Sequence, residues 1–398
     1  MTTNIKPRHV GVGTFTVTEK MRANVNEVLE SGRISYGPKS MEFEEKFAEA
    51  HGCDYAILSS SGTCALQVAL QAMKEINSWD DGDEVIVPAT TFVATANIVI
   101  HNNMKPVFVD VDTSDYGILV NGIYKVITDR TRAIIPVHLF GQPCNMTKIM
   151  EIAQEHELGI IEDSCETMFA YHNNQLVGSM GDIGCFSTYV AHLIVTGVGG
   201  LCTTNNSLYA AKMRSIVNHG LELRFLNPGK NFSPNPAVGR RFKFDTVGHS
   251  YRITEMEAAL GLAQLEPGFR NFMESTRKRN AIHLSTGLQL INASRDEKII
   301  YIPKVMPGNT HSWMMYPILL RRGMDKEPLM TYLNERHIET RDMLPILNQP
   351  YYSYLDPDKF PNSKWILESG FYVGCHQDLT PDDIQYVIET ISDYMADK

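Results

Sequence analysis

The residues best suited to chemistry lie in the stretch 185–201, which reads CFSTYVAHLIVTGVGGL. Apolar and aromatic residues from 183 to 189 predict the end of a buried strand. Three glycines then predict a turn that brings the backbone close to another group: Gly197, Gly199 and Gly200. His192 lies between strand and turn, and an unperturbed imidazole, with a pKa of about 6.5, suits proton transfer at neutral pH. A lone histidine is more often structural than catalytic, so its role depends on the residues around it.

Two other predicted strands lead into residues that could bind a ligand. The pattern YAILSS followed by SGTCALQVALQAM predicts a strand, a turn at Gly62 and Thr63, and a helix. The first amides of such a helix can bind an anion. Asp163 directly follows the strand pattern GIIED, and Glu166 lies three residues further on. The Asp163 carboxylate could equally be solvated or cap a helix.

Strand and helix patterns alternate along most of the chain. Residues 84–100, EVIVPATTFVATANIVI, predict a buried strand, a loop containing Phe92 and a helix. PVFVDVD, AIIPVHLFGQP and GIIEDSCE predict further strands. This alternation indicates an α/β fold with a mainly parallel sheet flanked by helices, in which ligands bind at the carboxyl ends of the strands. We expect a large domain over 1–266 and a smaller α+β domain over 267–398.

Composition excludes several classes of protein. The chain has 398 residues, of which 43% are hydrophobic and 21% charged, as in ordinary globular proteins. Its net charge of −10 argues against general binding of nucleic acid. No apolar run reaches the length of a membrane span, and the N-terminal residues lack a signal-peptide core, so we expect a cytoplasmic protein.

The cysteines and the basic residues indicate which metal and ligand sites to expect. The seven cysteines are scattered and include no CxxC pair, so neither a disulfide framework nor an iron–sulfur cluster is expected, and no metal site is predicted. The loop from Arg224 to Lys243 is rich in cations, which either are simply solvated or bind a nucleotide diphosphate.

Together these motifs resemble the DegT/DnrJ/EryC1/StrS sugar aminotransferase family of fold-type I enzymes, which use pyridoxal 5′-phosphate, over nearly the whole chain. The resemblance implies a role in cofactor binding for seven residues: Gly62, Thr63, Phe92, Asp163, Glu166, Ser187 and Ser250. Gly62, Thr63 and Ser187 would hold the cofactor phosphate. Phe92 would stack on the pyridine ring, and Asp163 would face the ring nitrogen. Glu166 stands where the family usually has Gln next to the ring hydroxyl.

His192 departs from the family in the residue that defines an aminotransferase. Five residues after Ser187, the family has the Lys that attaches the cofactor covalently. A subgroup with His at this position is typified by GDP-4-keto-6-deoxy-D-mannose 3-dehydratase and uses pyridoxamine 5′-phosphate. The resemblance therefore implies a dehydratase of deoxysugar biosynthesis, such as that of lipopolysaccharide O-antigen. It would remove the C3 hydroxyl of a nucleotide-linked 4-keto-6-deoxy sugar, with His192 as the base.

The resemblance also implies binding partners and a set of substrate-binding residues. The partners would be a nucleotide-linked keto sugar, an amino donor such as L-glutamate, and a second copy of the chain in a homodimer. Four residues are candidates for binding the substrate: Arg224, Arg241, Glu339 and Arg341. Ser250 replaces an Asn that the family supplies to the neighbouring subunit, and Val198 replaces the Glu of GEGG. These departures leave two alternatives, a non-catalytic binding or regulatory protein and another pyridoxamine-dependent reaction such as amino transfer.

Overall fold

A seven-stranded sheet lies at the centre of the computed structural model, which describes residues 9–222, 243–344 and 346–396. Its strands are β1 (Tyr55–Ser59), β2 (Glu84–Pro88), β3 (Lys105–Val109), β4 (Thr131–Ile134), β5 (Gly159–Asp163), β8 (Ile183–Ser187) and β9 (Gly200–Thr204). A separate hairpin pairs β6 (Tyr171–His172) with β7 (Gln175–Leu176). The order in the sheet is β1-β9-β8-β5-β4-β2-β3. The pairs from β8 to β3 are parallel, whereas β9 runs antiparallel to both of its neighbours.

Helices follow most strands. The helices before residue 267 are α1 (Glu19–Ser31), α2 (Pro38–Ala50), α3 (Gly62–Asn77), α4 (Val93–His101), α5 (Val120–Ile123), α6 (Met146–Glu155), α7 (Ser207–Val217) and α8 (Glu255–Gln264). Of these described helices, five begin at a side-chain cap, namely α1, α3, α6, α7 and α8. The Thr18 hydroxyl accepts the amide of Met21 at the start of α1, and Gly32 ends that helix at φ 66°. The predicted mainly parallel α/β fold is confirmed.

Residues that alternate along the strands face two different cores. On one side of the sheet, Val85 and Val87 pack with apolar residues of α3, α4 and α7. On the other side, Ile86 packs with residues of α2, α6 and α8. Burial on both faces fixes the register, because a slip of one residue would exchange the two sets of side chains.

A second, smaller sheet is entirely antiparallel. It contains β10 (Ile300–Tyr301), β11 (Met315–Leu320), β12 (Thr340–Asp342) and β13 (Gly370–Gly374), in the order β10-β11-β13-β12. Its helices are α9 (Pro267–Ala293), α10 (Glu327–Asn334), α11 (Pro361–Ser369) and α12 (Pro381–Ala396). A third core joins this sheet to α9, α10 and α12. Among the described residues no helix combines the length and the apolar character needed to cross a membrane. The domain boundary after residue 266 stays a prediction.

Candidate active site

The turn between β1 and α3 provides an anion-binding helix start. The Ser61 hydroxyl caps α3 by accepting the Cys64 amide at 3.1 Å, which leaves the amides of Gly62 and Thr63 outside the helical hydrogen bonds. Gly62 is buried, and a Cβ there would lie 2.7 Å from Ser187 Cβ and 2.8 Å from Cys165 Sγ. Thr63 is exposed. Glycine at position 62 therefore lets three segments of the chain meet.

Ser187 lies opposite this turn, at the end of β8. Its side chain is buried, and its Cα pairs across the sheet with Gly200 of β9. Gly200 passes so close to the main chain of Ser61 that a Cβ would collide with the Ser61 carbonyl. Gly197 and Gly199 have φ values of 94° and 147°, which favour glycine. The predicted close turn is confirmed, and the group that it approaches is the start of α3.

Asp163 ends β5 in a buried position beside these residues. Its Oδ2 accepts the Thr95 hydroxyl at 2.7 Å, and its Oδ1 accepts the Cys165 amide at 3.2 Å. Burial raises the pKa of Asp163 above its ordinary value, while these hydrogen bonds oppose the rise. A cation placed against this carboxylate would stabilise its charged form.

Glu166 lies half-buried one turn beyond Asp163. Its Oε2 accepts the Phe140 amide at 3.0 Å. Burial raises the pKa of Glu166 to about 7, and the charge of Asp163 acts in the same direction. Near neutral pH this carboxyl group can therefore donate a hydrogen bond as well as accept one.

Phe92 immediately precedes α4, and 56% of the residue is exposed. Thr91 and Thr95, which flank it on the two sides, are both buried. An exposed aromatic ring held between two fixed residues is available to stack on a planar ligand.

His192 follows Tyr189 in the turn after β8, and its amide donates to the Tyr189 carbonyl at 2.9 Å. The imidazole meets the Tyr189 ring edge-on at 6.2 Å between centroids. Its Nδ1 is buried and has no hydrogen-bond partner among the described residues. Burial lowers the pKa of His192 to about 4, so the expectation of an unperturbed value was wrong. The ring is neutral at pH 7.

Glu339 and Arg341 lie on the second sheet and form an ion pair. Glu339 Oε1 accepts both Nε and Nη2 of Arg341, at 3.0 and 2.7 Å. Its Oε2 accepts the Val12 amide at 3.0 Å. Arg341 is exposed and interacts electrostatically with Tyr189 and Tyr372. Arg341 therefore faces the turn that carries His192, whereas the Glu339 carboxylate is occupied in holding Arg341.

Of the remaining predicted residues, the structure describes Ser250 alone. Ser250 is exposed; its hydroxyl accepts Arg252 Nη2 at 3.0 Å, and its main chain bridges to Asn218. Arg224 and Arg241 fall outside the described residues. The structure thus brings together Gly62, Asp163, Glu166 and Ser187, which contact one another directly or through Cys165.

Sequence reasoning missed two residues of the cluster, Thr95 and Tyr189. Thr95 is four residues after Thr91 in the motif TTFVAT, so the helical spacing that puts both hydroxyls on one side of the turn was available as a signal. Tyr189 was counted only as part of the strand. Its position beside His192 depends on the turn that follows β8, which no local pattern specifies.

The residues present fit a phosphorylated pyridine cofactor. Free amides at the start of α3 suit the phosphate, and the Gly62 backbone leaves no room for a side chain beside Ser187. The buried carboxylate of Asp163 suits a protonated ring nitrogen. The unpartnered Nδ1 of His192 is free for a proton or a ligand atom.

Comparisons with known proteins agree with this fit. A sequence model of the DegT/DnrJ/EryC1/StrS aminotransferase family matches residues 16–392. GDP-perosamine synthase of Escherichia coli O157:H7 is 32% identical over 393 residues, which cover 98% of this chain and 100% of that protein. The dTDP-4-dehydro-2,6-dideoxy-D-glucose 3-dehydratase of Saccharopolyspora spinosa is 31% identical over 386 residues, covering 92% and 82%.

Solved structures add the ligands that similar proteins bind. A mutant GDP-4-keto-6-deoxymannose-3-dehydratase with bound GDP-perosamine superposes with a TM-score of 0.87 at 27% identity, covering 96% of this chain and 100% of that one. A second structure of a GDP-4-keto-6-deoxymannose-3-dehydratase holds a trapped PLP–glutamate geminal diamine and has a TM-score of 0.87 at 26% identity, with the same coverage. The chain belongs to the DegT/DnrJ/EryC1/StrS aminotransferase family, whose members use pyridoxal phosphate to modify sugars.

Proposed function

We propose that this chain is a pyridoxamine-phosphate-dependent dehydratase that removes the C3 hydroxyl of a nucleotide-linked 4-keto-6-deoxy sugar. The single observation that carries the proposal is the imidazole of His192, which is neutral and half-buried and has an unpartnered Nδ1. The resemblance of the motif around Ser187 implies that His192 replaces the family's cofactor-attaching Lys. Histidine cannot attach the cofactor covalently, but it can accept and return a proton. Its neighbours among known proteins include enzymes named as sugar 3-dehydratases.

The cofactor site of the proposal is built from the cluster at the strand ends. When bound, pyridoxamine phosphate supplies an amine that condenses with a keto group and a ring that stabilises negative charge. Gly62, Thr63 and Ser187 would bind its phosphate through amides and hydroxyls. The exposed face of Phe92 would stack on the ring. The Asp163 carboxylate would pair with the ring nitrogen and keep it protonated.

His192 would act first as a base and then as an acid. Because burial lowers its pKa to about 4, the imidazole is neutral at pH 7 and can accept a proton. The same burial destabilises the imidazolium that results, so the proton passes readily to a nearby acceptor. The departing C3 hydroxyl is such an acceptor, and protonation lets it leave as water.

Other residues would bind the sugar nucleotide and complete the site. Arg341 faces the His192 turn and would contact the substrate, with Glu339 holding its guanidinium in place. We assign the diphosphate to Arg224 and Arg241. Glu166 would contact the ring hydroxyl. We further propose that residues 1–266 form the cofactor-binding domain, that 267–398 form the smaller domain, and that Ser250 serves the second subunit of a homodimer.

Amino transfer is the second candidate, favoured by the family's description as aminotransferases and by the similarity to GDP-perosamine synthases. Both amino transfer and dehydration would need the amino donor to restore the amine form of the cofactor without the attaching Lys, so this requirement does not separate the two. A non-catalytic binding protein is the third, but the cluster of Gly62, Asp163 and Ser187 retains the groups that a cofactor needs.

Mass analysis of the product separates these candidates. The protein, loaded with pyridoxamine phosphate and supplied with L-glutamate, is incubated with GDP- and dTDP-linked 4-keto-6-deoxy sugars. We expect a product that has lost the C3 oxygen. An amino sugar that keeps this oxygen would establish transfer instead. No change in any substrate, together with no spectral change of the cofactor on adding glutamate, would favour the binding protein.

A further inference from the structure

We infer that Thr95 is a positioning residue that holds the Asp163 carboxylate in place and in its charged form, and that Thr91 fixes the direction of the Thr95 hydroxyl. The inference rests on the proposed function in so far as Asp163 serves the cofactor ring. It adds a hydrogen-bonded chain of two hydroxyls to the residues assigned above.

The two hydroxyls and the carboxylate form short hydrogen bonds and are buried. Thr91 Oγ1 and Thr95 Oγ1 are 2.8 Å apart, and Thr95 Oγ1 lies 2.7 Å from Asp163 Oδ2. Thr91, Thr95 and Asp163 are exposed by only 1%, 0% and 4%. Hydrogen bonds to a charged group in such surroundings are stronger than those between neutral groups.

The charge of Asp163 fixes the direction of both bonds. An ionised carboxylate has no proton to give, so the Thr95 hydroxyl must donate to it. The Thr95 oxygen is then free to accept, and the Thr91 hydroxyl must be the donor. If Asp163 were protonated on Oδ2, the order could reverse. With Asp163 charged, the direction of both bonds is therefore fixed, from Thr91 to Thr95 and from Thr95 to Asp163.

The same two residues also fix Phe92, which lies between them in the sequence. The Thr91 amide donates to the Leu344 carbonyl at 3.1 Å, which anchors the start of the turn. Thr95 is on the first turn of α4. The hydrogen bond between Thr91 and Thr95 thus fixes the backbone of Phe92 relative to the Asp163 carboxylate.

The hydrogen bond from the Thr95 hydroxyl to Asp163 is shorter than that from the Cys165 amide, at 2.7 Å against 3.2 Å. Burial opposes the charged carboxylate, whereas His138 and the Cys165 side chain favour it. Glu166 and Asp163 oppose each other's charge. These groups are the same in every variant, so each pH profile is compared with that of the wild type. Loss of the Thr95 hydroxyl would therefore let Asp163 take up a proton at a higher pH. A protonated Asp163 no longer attracts a cationic ring nitrogen, so cofactor affinity should fall.

The test measures the affinity for pyridoxamine 5′-phosphate by equilibrium dialysis between about pH 6 and about pH 9. We expect Thr95→Val to weaken binding on the order of tenfold at neutral pH. As the pH falls, Asp163 takes up a proton and affinity drops; in this variant the drop should begin at a higher pH than in the wild type. Thr95→Ser should bind as the wild type does, because it keeps the hydroxyl. Thr91→Val should have a smaller effect, since Thr95 can still donate to Asp163.

Thr203→Val is the matched control, because Thr203 is fully buried and donates to the Gly178 carbonyl at 2.6 Å, away from Asp163. It should lower stability without changing cofactor affinity. If Thr95→Val does not fold, Thr95→Ala takes its place. Unchanged affinity and pH dependence in the variant lacking the hydroxyl would overturn the inference, as would equal losses in Thr95→Ser. Dialysis needs no sugar substrate, so failure of the dehydratase proposal would appear separately in the product assay.

Discussion

The floor and the rim of the candidate site are built in different ways. The floor, defined as Gly62, Asp163 and Ser187, lies at strand ends and a helix start, and all three residues are buried. The rim, defined as Ser250 and Arg341, is exposed. Floor residues are fixed by the order of strands in the large sheet. On the rim, Arg341 lies on β12 of the second sheet, and Ser250 lies in the loop before α8. The floor should therefore control the chemistry, and the rim should control which sugar nucleotide binds.

Replacing His192, the proposed base, should have the largest effect on turnover. His192→Asn keeps a polar side chain but removes the base, and loss of a general base typically costs about 10²- to 10⁴-fold in rate. Affinity for pyridoxamine phosphate should stay near that of the wild type. Turnover at saturating cofactor measures the effect, and a loss of less than about tenfold would exclude His192 as the base.

Asp163→Asn tests the floor directly. The substitution keeps the size of the side chain but removes the charge opposite the ring nitrogen, and loss of one such contact typically lowers turnover on the order of a hundredfold or more. Cofactor affinity should fall less, because the phosphate contacts remain. Rates are compared at saturating cofactor. Near wild-type turnover would remove Asp163 from the mechanism.

Gly62→Ala tests the packing of the floor. The added methyl group would meet Ser187 Cβ and Cys165 Sγ at 2.7 and 2.8 Å, so we expect the variant to lose about 1–3 kcal/mol of stability and to bind pyridoxamine phosphate more weakly. Gly268→Ala is the control, because nothing lies within 4 Å of its Cβ position. Denaturant unfolding of the two variants gives the difference, and equal stability would contradict the close approach.

Arg341→Gln should have the smallest of these effects, and it should fall on KM. The exposed guanidinium faces the His192 turn, so its loss should raise KM for the sugar nucleotide several-fold, about 1 kcal/mol or less, and leave kcat and cofactor affinity unchanged. Arg321→Gln is the control, because Arg321 is another exposed arginine and directly follows β11 of the second sheet. A change in kcat alone would show that Arg341 acts in the chemical step rather than in binding the sugar nucleotide.

The floor could be predicted from the sequence because each of its residues follows a strong local pattern. The strands that end at Asp163 and Ser187 are apolar runs, and the turn at Gly62 joins a strand to an amphipathic helix. What the patterns could not give is the depth of burial. The pKa of His192 was therefore expected to be unperturbed, whereas burial lowers it to about 4.

Other helices and strands could not be predicted because some of their buried residues are polar, which weakens the apolar pattern. Helix α9 spans 27 residues, yet its buried side includes Arg277 and Asn280, so the apolar period is weak. Arg277 donates to the carbonyls of Trp313 and Met314 at 3.1 and 2.8 Å. Strand β9 begins at a glycine and ends in two threonines, so its apolar run is only Leu201 and Cys202. On the rim, the expected role of Ser250 depends on a second subunit, which a local pattern cannot place.

Covalent trapping of the cofactor tests most directly whether His192 occupies the place of the attaching Lys. Wild type and His192→Lys are incubated with pyridoxal phosphate, reduced with borohydride and analysed by peptide mass. We predict that the variant carries the cofactor on Lys at this position and no longer dehydrates the sugar, whereas the wild type carries none. A variant without adduct, or a wild type modified stoichiometrically on a native lysine, would contradict the placement of His192 over the cofactor.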